Sequence, residues 1–193
     1  DDLRFFIDHM DDNIYIMEAF VNGYVQTYDA IVGAHGQVIF ESGNVTPKSI
    51  MDTVNDNDDS VYYLVKDIPD QVRDAGQRTI KAFNVRSRFV HLEFFILNED
   101  QEGLGKKGDV LGLEVNMRPA GGYTPEMYNY SQETDVYKIW ADMIAFDYNT
   151  KSIGNSHFCA FYGRRDGKSY KFDDYEIMSK YGHKMVMWGR IPE

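Results

Sequence analysis

Two stretches of alternating side chains, residues 89–97 and 110–117, constrain the fold of this chain more than any other feature. In the second stretch, apolar and polar residues alternate strictly from Leu113 to Arg118. Successive side chains of a β-strand point to opposite faces of the sheet, so each stretch predicts a strand with one core face and one polar face. The loop between them, residues 98–109, is polar and rich in glycine, which predicts an antiparallel hairpin.

The register of this hairpin follows if the hairpin closes symmetrically about the middle of its loop. Glu93 then lies directly opposite Glu114, and His91 lies opposite Asn116. Two carboxylates that face each other on neighbouring strands repel unless a proton or a cation lies between them. Together with the amide oxygen of Asn116, they form an oxygen-only ligand set suited to Mg²⁺, which takes its other ligands from water and substrate phosphates. The pattern predicts a magnesium site.

Arg118 comes two residues after Asn116 and is suited to binding a phosphate oxygen. The following residues, 119–122, end in two glycines, which let the backbone approach a ligand closely. Taken alone, any one of these polar residues would be interpreted as an ordinary residue on the solvent-exposed face of an amphipathic sheet. The alignment of four ligand-type residues just before a glycine pair favours a functional site over that interpretation.

The rest of the chain alternates between helical and extended patterns. Apolar spacing predicts helices over residues 3–10, 68–83 and 136–144. Extended patterns predict strands over residues 14–20, 25–32, 37–40, 61–65, 158–162 and 185–188. We expect the tail, rich in methionine and aromatic residues, to be core, and Cys159 to be a buried thiol. These elements predict one α+β domain of 193 residues, with a mostly antiparallel β-sheet flanked by helices.

The charge of the chain excludes several classes of partner. Its 31 acidic and 20 basic residues give a net charge of -11, which repels nucleic acid and anionic membranes. No apolar run approaches the roughly eighteen residues of a membrane span. A single cysteine fits a reducing cytoplasm. An acidic chain can still bind a phosphate-bearing ligand if metal ions neutralise the phosphates locally.

Residues 89–94 and 113–119 resemble the paired metal-binding strands of the ATP-grasp superfamily, which includes biotin carboxylase and carbamoyl phosphate synthase. A glutamate followed on the next strand by Glu-x-Asn-x-Arg is the most specific signature of that superfamily. Residues 14–23 are similar to its hinge strand. The resemblance implies an ATP-grasp C-terminal half over residues 1–145, with residues 146–193 as a C-terminal extension packed on the same body.

The resemblance implies three sets of site residues, with ATP and Mg²⁺ as ligands. The metal ligands are Glu93, Glu114 and Asn116, and Arg118 is the catalytic contact to phosphate or acyl phosphate. The ATP-binding residues that line the adenine pocket are Glu18, Ala19 and Val21. The carboxylate substrate lies near Gly121, Gly122 and Tyr123.

These roles imply an ATP-dependent carboxylate ligase, which forms an acyl phosphate that an amine or similar nucleophile then captures. In the superfamily, a glycine-rich lid with two lysines and a separate α/β domain precede this half. We find no counterpart of either in the chain, which begins at Asp1 without methionine, so we expect this chain alone to turn over little or no ATP.

Two alternatives remain open at this point: a non-catalytic nucleotide- or ligand-binding module with the same fold, and a β-rich interaction domain whose carboxylates are merely solvated. The expected partner is a small carboxylate in the cytoplasm, with no nucleic acid and no membrane.

Overall fold

A computed structural model of the chain describes residues 2–190. In chain order, its elements are α1 (Asp2–Asp8), β1 (Gly23–Val32), β2 (Val38–Ser42), β3 (Asn44–Thr46), α2 (Ile50–Asn55), β4 (Ser60–Leu64), α3 (Asp70–Ala82), β5 (Arg88–Leu97), β6 (Val110–Asn116), α4 (Thr124–Ser131), α5 (Val136–Phe146), β7 (Cys159–Gly163) and α6 (Asp174–Tyr181). A 3₁₀ turn, Gly182–Lys184, follows α6.

The strands of this region form one antiparallel sheet in the order β6-β5-β1-β3-β4-β7, and β2 pairs with β1 beside β3. The predicted α+β class with a mostly antiparallel sheet is therefore confirmed. Strand β5 lies between β1 and the edge strand β6. No helix within residues 2–190 is long and apolar enough to cross a membrane.

One face of the sheet, which we call the α3 face, packs on helix α3. The buried residues of α3, Val72, Ala75, Gly76 and Ile80, recur at helical spacing. They lie against fully buried side chains of the two central strands, Tyr28, Ala30, Val90 and Leu92. The predicted inward residues of β5 are thus in the core, as their alternation indicated.

The opposite face, which we call the site face, is covered in part by α4 and α5. Its apolar core contains Ile31, Phe40, Leu64, Phe89, Tyr128, Ile139 and Met143. The polar residues of β5 and β6 lie on this same face, beyond the apolar cluster. Helices α4 and α5 therefore bury one part of the face and leave another part to the polar side chains.

Most predicted elements are confirmed, but two predicted strands are wrong. Residues 14–20 have no regular secondary structure and are exposed, and the strand instead begins at Gly23. Residues 185–188 are also not a strand. Apolar composition suggested both segments, but neither finds a neighbouring strand to pair with in residues 2–190, and an unpaired strand is not stable by itself.

The prediction that the C-terminal tail is core is also wrong. Helix α6 buries none of its residues, and Tyr175 and Trp188 are 81% and 65% exposed. Within the described part of the tail, β7 joins the sheet by pairing with β4. Cys159 is half-buried at the start of β7, and burial raises the pKa of its thiol.

We predict that Gly76→Ala destabilises the protein by about 1–3 kcal/mol, because a Cβ at this position would overlap the ring and Cβ of the fully buried Tyr28. Gly112→Ala is the matched control, since an added Cβ there meets no atom within 4 Å. Urea denaturation measures both changes. Equal stability of the two variants would contradict the close packing of α3 on β1.

Candidate metal and nucleotide site

The pairing of β5 with β6 places the two predicted carboxylates opposite each other. Glu93 pairs with Glu114, and His91 pairs with Asn116, in an antiparallel ladder. Paired residues project to the same face of a sheet, so the two carboxylates share the site face. The register predicted from symmetric closure of the hairpin is confirmed for these residues.

Nearer the loop the register shifts by one residue. Phe94 pairs with Gly112, so Leu113 is the extra residue of a bulge between the two ladders. Leu113 and Val115 were expected on the core face, but they are 45% and 38% exposed. That expectation is wrong because β6 is an edge strand and Leu113 is its bulge residue, although Val110 and Met117 pack against the core under α3.

The polar face continues from β5 into the central strand β1. Asp29 pairs with His91 and is fully buried. Its Oδ1 lies 2.5 Å from the Nδ1 of His91, while the Nε2 of His91 lies 2.9 Å from Oε1 of Glu93. Thr27 donates its hydroxyl to Oδ2 of Asp29 at 2.5 Å, and the backbone N–H of Asn44 donates to Thr27 at 3.0 Å. One hydrogen-bonded series thus links β3, β1 and β5.

The charge of His91 follows from its position between two carboxylates. Burial disfavours the protonated ring, but the hydrogen bonds to Asp29 and Glu93 outweigh burial and raise the pKa of His91 to about 10. A ring that hydrogen-bonds a carboxylate at each nitrogen needs a proton on both. The imidazolium therefore compensates the buried charge of Asp29.

Sequence reasoning missed Asp29 as a member of this site. It lies on a strand with no ligand pattern, far from Glu93 along the chain. The one available signal was a charged residue inside a long apolar strand, because a fully buried carboxylate requires a partner. That signal indicates a partner without telling which residue it is.

The other two predicted metal ligands, Glu114 and Asn116, lie on the edge strand β6. Glu114 is exposed, and the side-chain Nδ2 of Asn116 is buried without a hydrogen-bond partner among the described residues. A rotation of the amide by half a turn would place its oxygen at the same point. Residues 2–190 hold no group of three or more His, Cys, Asp or Glu arranged for a metal ion. Two carboxylates and one amide oxygen fit Mg²⁺, which binds few protein ligands and keeps water or phosphate in its other positions.

The predicted phosphate and substrate contacts lie on the loop from β6 to α4. Arg118 is exposed, and its Nη1 donates to the carbonyl oxygen of Pro119 at 2.9 Å. Gly121 and Gly122 are exposed, and Gly122 adopts a φ of 60°, which favours glycine. The ring of Tyr123 stacks on Phe161 of β7, with centroids 6.2 Å apart. The loop therefore runs from the β6 edge of the sheet to the opposite edge, where β7 lies.

The predicted adenine residues lie apart from this set. Glu18 and Ala19 are exposed in the irregular segment before β1, and Val21 is half-exposed. Gln101 anchors the end of this segment to the β5–β6 loop, since its side chain accepts from the backbone N–H of Asn22 at 2.9 Å. The structure thus shows no contact that assigns Glu18, Ala19 and Val21 a role, and their part in nucleotide binding stays a prediction.

Comparisons with known proteins bear on the fold. No protein-family model matches the chain, and no curated protein matches it. Among the solved structures, phosphoribosylglycinamide synthetase from Anaerococcus prevotii is similar, with a TM-score of 0.52 and 19% identity, over 73% of this chain and 35% of that one. The chain has the fold of an ATP-grasp C-terminal subdomain. It spans about a third of the matched structure, and at this identity the likeness shows the ATP-grasp fold alone.

We predict that His91→Leu destabilises the protein by about 3–5 kcal/mol, because it removes the cationic partner of the fully buried Asp29 and leaves it the neutral hydroxyl of Thr27. Adding Asp29→Asn to the variant should recover a large part of the loss, since the amide carries no charge. Guanidinium denaturation of the single and double variants measures the difference. Single and double variants of equal stability would show that Asp29 and His91 do not interact as described.

Proposed function

We propose that this chain provides the metal- and phosphate-binding surface of an ATP-dependent carboxylate ligase. The observation that supports this most is the pairing of Glu93 with Glu114 on one sheet face, with the unpartnered amide of Asn116 on the same face. Carboxylates placed directly opposite each other are unfavourable in a sheet that serves only for stability. A site for a divalent cation accounts for the arrangement.

In this proposal, Glu93, Glu114 and Asn116 hold Mg²⁺. The cation would neutralise the negative charge of the ATP phosphates, which an acidic chain would otherwise repel. Arg118 is exposed and two residues from Asn116, and it would contact the transferred phosphoryl group. Glu18, Ala19 and Val21 would line the adenine pocket.

The proposed carboxylate substrate lies at Gly121, Gly122 and Tyr123. Two exposed glycines leave the backbone N–H groups of the loop open to a ligand, with no Cβ in the way. The reaction class is transfer of the γ-phosphoryl group to the carboxylate, followed by attack of an amine or similar nucleophile with loss of phosphate. Catalysis of such a transfer rests on positioning and electrostatic stabilisation.

The matched structure is named as a synthetase, and the chain corresponds to about a third of it. We therefore propose ligase activity for an assembly in which this subdomain works with the remaining parts of an ATP-grasp enzyme. A cytoplasmic location, where ATP and Mg²⁺ are abundant, belongs to the same proposal.

The experiment that tests the site is the substitution Glu114→Gln. Glu114 is exposed, and Arg118 hydrogen-bonds to Pro119 rather than to this carboxylate. We predict that the variant is as stable as the wild type, or more stable, without metal, because it removes repulsion with Glu93. In the complete protein, the same substitution should weaken the binding of ATP in the presence of Mg²⁺ at least tenfold. Thermal melts and calorimetric titrations measure the two effects.

Glu102→Gln, in the exposed loop between β5 and β6, is the matched control, because it removes the same charge away from the site. It should leave both properties unchanged. A clear loss of stability in Glu114→Gln, with nucleotide binding intact, would show that Glu114 is structural. Binding of ATP with Mg²⁺ by an assembled protein that never consumes ATP would favour the alternative of a non-catalytic nucleotide-binding module.

A further inference from the structure

The two proposed carboxylate ligands are held very differently. Oε1 of Glu93 lies 2.9 Å from Nε2 of His91, and the side chain of Glu93 is 22% exposed. Glu114, on the edge strand, is exposed and has no hydrogen-bond partner in the described part of the chain. One ligand is therefore fixed before any ion arrives, and the other is free to adjust.

The group that fixes Glu93 is itself fixed from the other side. His91 is held by Asp29, and Asp29 accepts the hydroxyl of Thr27, which in turn accepts a backbone N–H from β3. Asp29 is fully buried, and Thr27 and His91 are 2% and 8% exposed. Each residue of this series lies on a paired strand, so none can turn without breaking a buried hydrogen bond.

We propose that His91, anchored on Asp29, is a positioning residue that sets the Glu93 carboxylate for a divalent cation. This inference rests on the proposed function, since it assigns a partner to one of its metal ligands. Hydrogen bonds from outer residues to metal-binding carboxylates orient these ligands and contribute to affinity. In the described part of the chain, Oε2 of Glu93 has no hydrogen-bond partner, and Glu93 projects to the same face as Glu114 and Asn116.

A purely structural role would not explain this arrangement as well. Buried ion clusters are often no more stabilising than apolar residues of the same size, so stability alone gives little reason to place Asp29 in the central strand. The other buried carboxylate in the described residues, Asp142, bonds Lys138 and Thr150, which are close to it in sequence. That cluster fastens the end of α5 and contacts none of the proposed ligands.

Two substitutions at position 91 separate the two contacts of the ring. In His91→Asn, the side-chain amide nitrogen can occupy the place of Nδ1, which keeps the bond to Asp29 and loses the bond to Glu93. In His91→Gln, the amide nitrogen can occupy the place of Nε2, which keeps the bond to Glu93 and loses the bond to Asp29. His91→Asn therefore tests whether the hydrogen bond to Glu93 is needed for metal binding, and His91→Gln tests whether keeping that bond preserves metal binding.

The measurement is the dissociation constant of Mn²⁺, used as a probe of the Mg²⁺ site and followed by electron paramagnetic resonance of the free ion. We expect His91→Asn to weaken binding about tenfold or more, the scale found for outer-shell partners of metal ligands. We expect His91→Gln to bind Mn²⁺ nearly as well as the wild type, although it should melt at a lower temperature than His91→Asn. Asp142→Asn is the control, which should lose stability and keep its affinity for Mn²⁺.

Each other outcome overturns the inference in a distinguishable way. Equal or tighter Mn²⁺ binding by His91→Asn, with normal binding by the wild type, would show that the imidazolium only competes with the cation, while the metal site itself would stand. Affinities that follow melting temperature across all variants, including Asp142→Asn, would show a structural role alone. No Mn²⁺ binding by the wild type would reject the metal site of the proposed function and this inference with it.

Discussion

The long antiparallel ladder between β1 and β5 is the constraint on which the rest of the molecule depends. It pairs Gly23 with Leu97 at one end and Val32 with Arg88 at the other, and it lies between the edge strand β6 and the remaining strands. Because successive side chains point to opposite faces, the register of this ladder determines which residues lie on the α3 face and which lie on the site face. Tyr28 and Leu92 meet on the α3 face, while Asp29 and His91 meet on the site face. A slip of β5 by one residue would move His91 to the α3 face and Leu92 to the site face, and it would separate His91 from Asp29.

This dependence explains which parts of the structure were predictable from sequence. Residues 89–97 alternate as a strand with one core face does, and the pairing of Glu93 with Glu114 followed from a nearly symmetric hairpin. Helix α3 carries a clear apolar stripe. In such elements, local pattern and final environment agree, which is the condition under which sequence reasoning succeeds.

Other features of the structure depend on contacts between segments that are distant in the sequence, and a local sequence pattern does not predict these contacts. The bulge at Leu113 interrupts the symmetric register of the hairpin, and the exposure of Val115 came from the edge position of β6. Segments 14–20 and 185–188 were predicted as strands because they are apolar. Apolar composition does not show whether a neighbouring strand is present to pair with them. For the site, the proposed ligands Glu93 and Glu114 could be predicted from the sequence, but the contact of Asp29 with His91 required the pairing of β1 with β5.

The arrangement of charge on the site face has a consequence for how a cation would be received. Asp29 and His91 together carry little net charge, so the negative potential of the site comes from Glu93 and Glu114, on the side of the sheet nearest the β6 edge. That edge is also where the Arg118 loop leaves the sheet toward α4.

A metal–phosphate complex that binds at this edge would meet carboxylates for its cation and a guanidinium for its phosphates within one short stretch of β6 and the following loop. The carboxylate held by His91 would bind without reordering, and the free carboxylate of Glu114 would adjust to the number of phosphate oxygens that the cation already carries. One fixed and one adaptable ligand would therefore suit the proposed binding of a metal–nucleotide complex and its release after turnover.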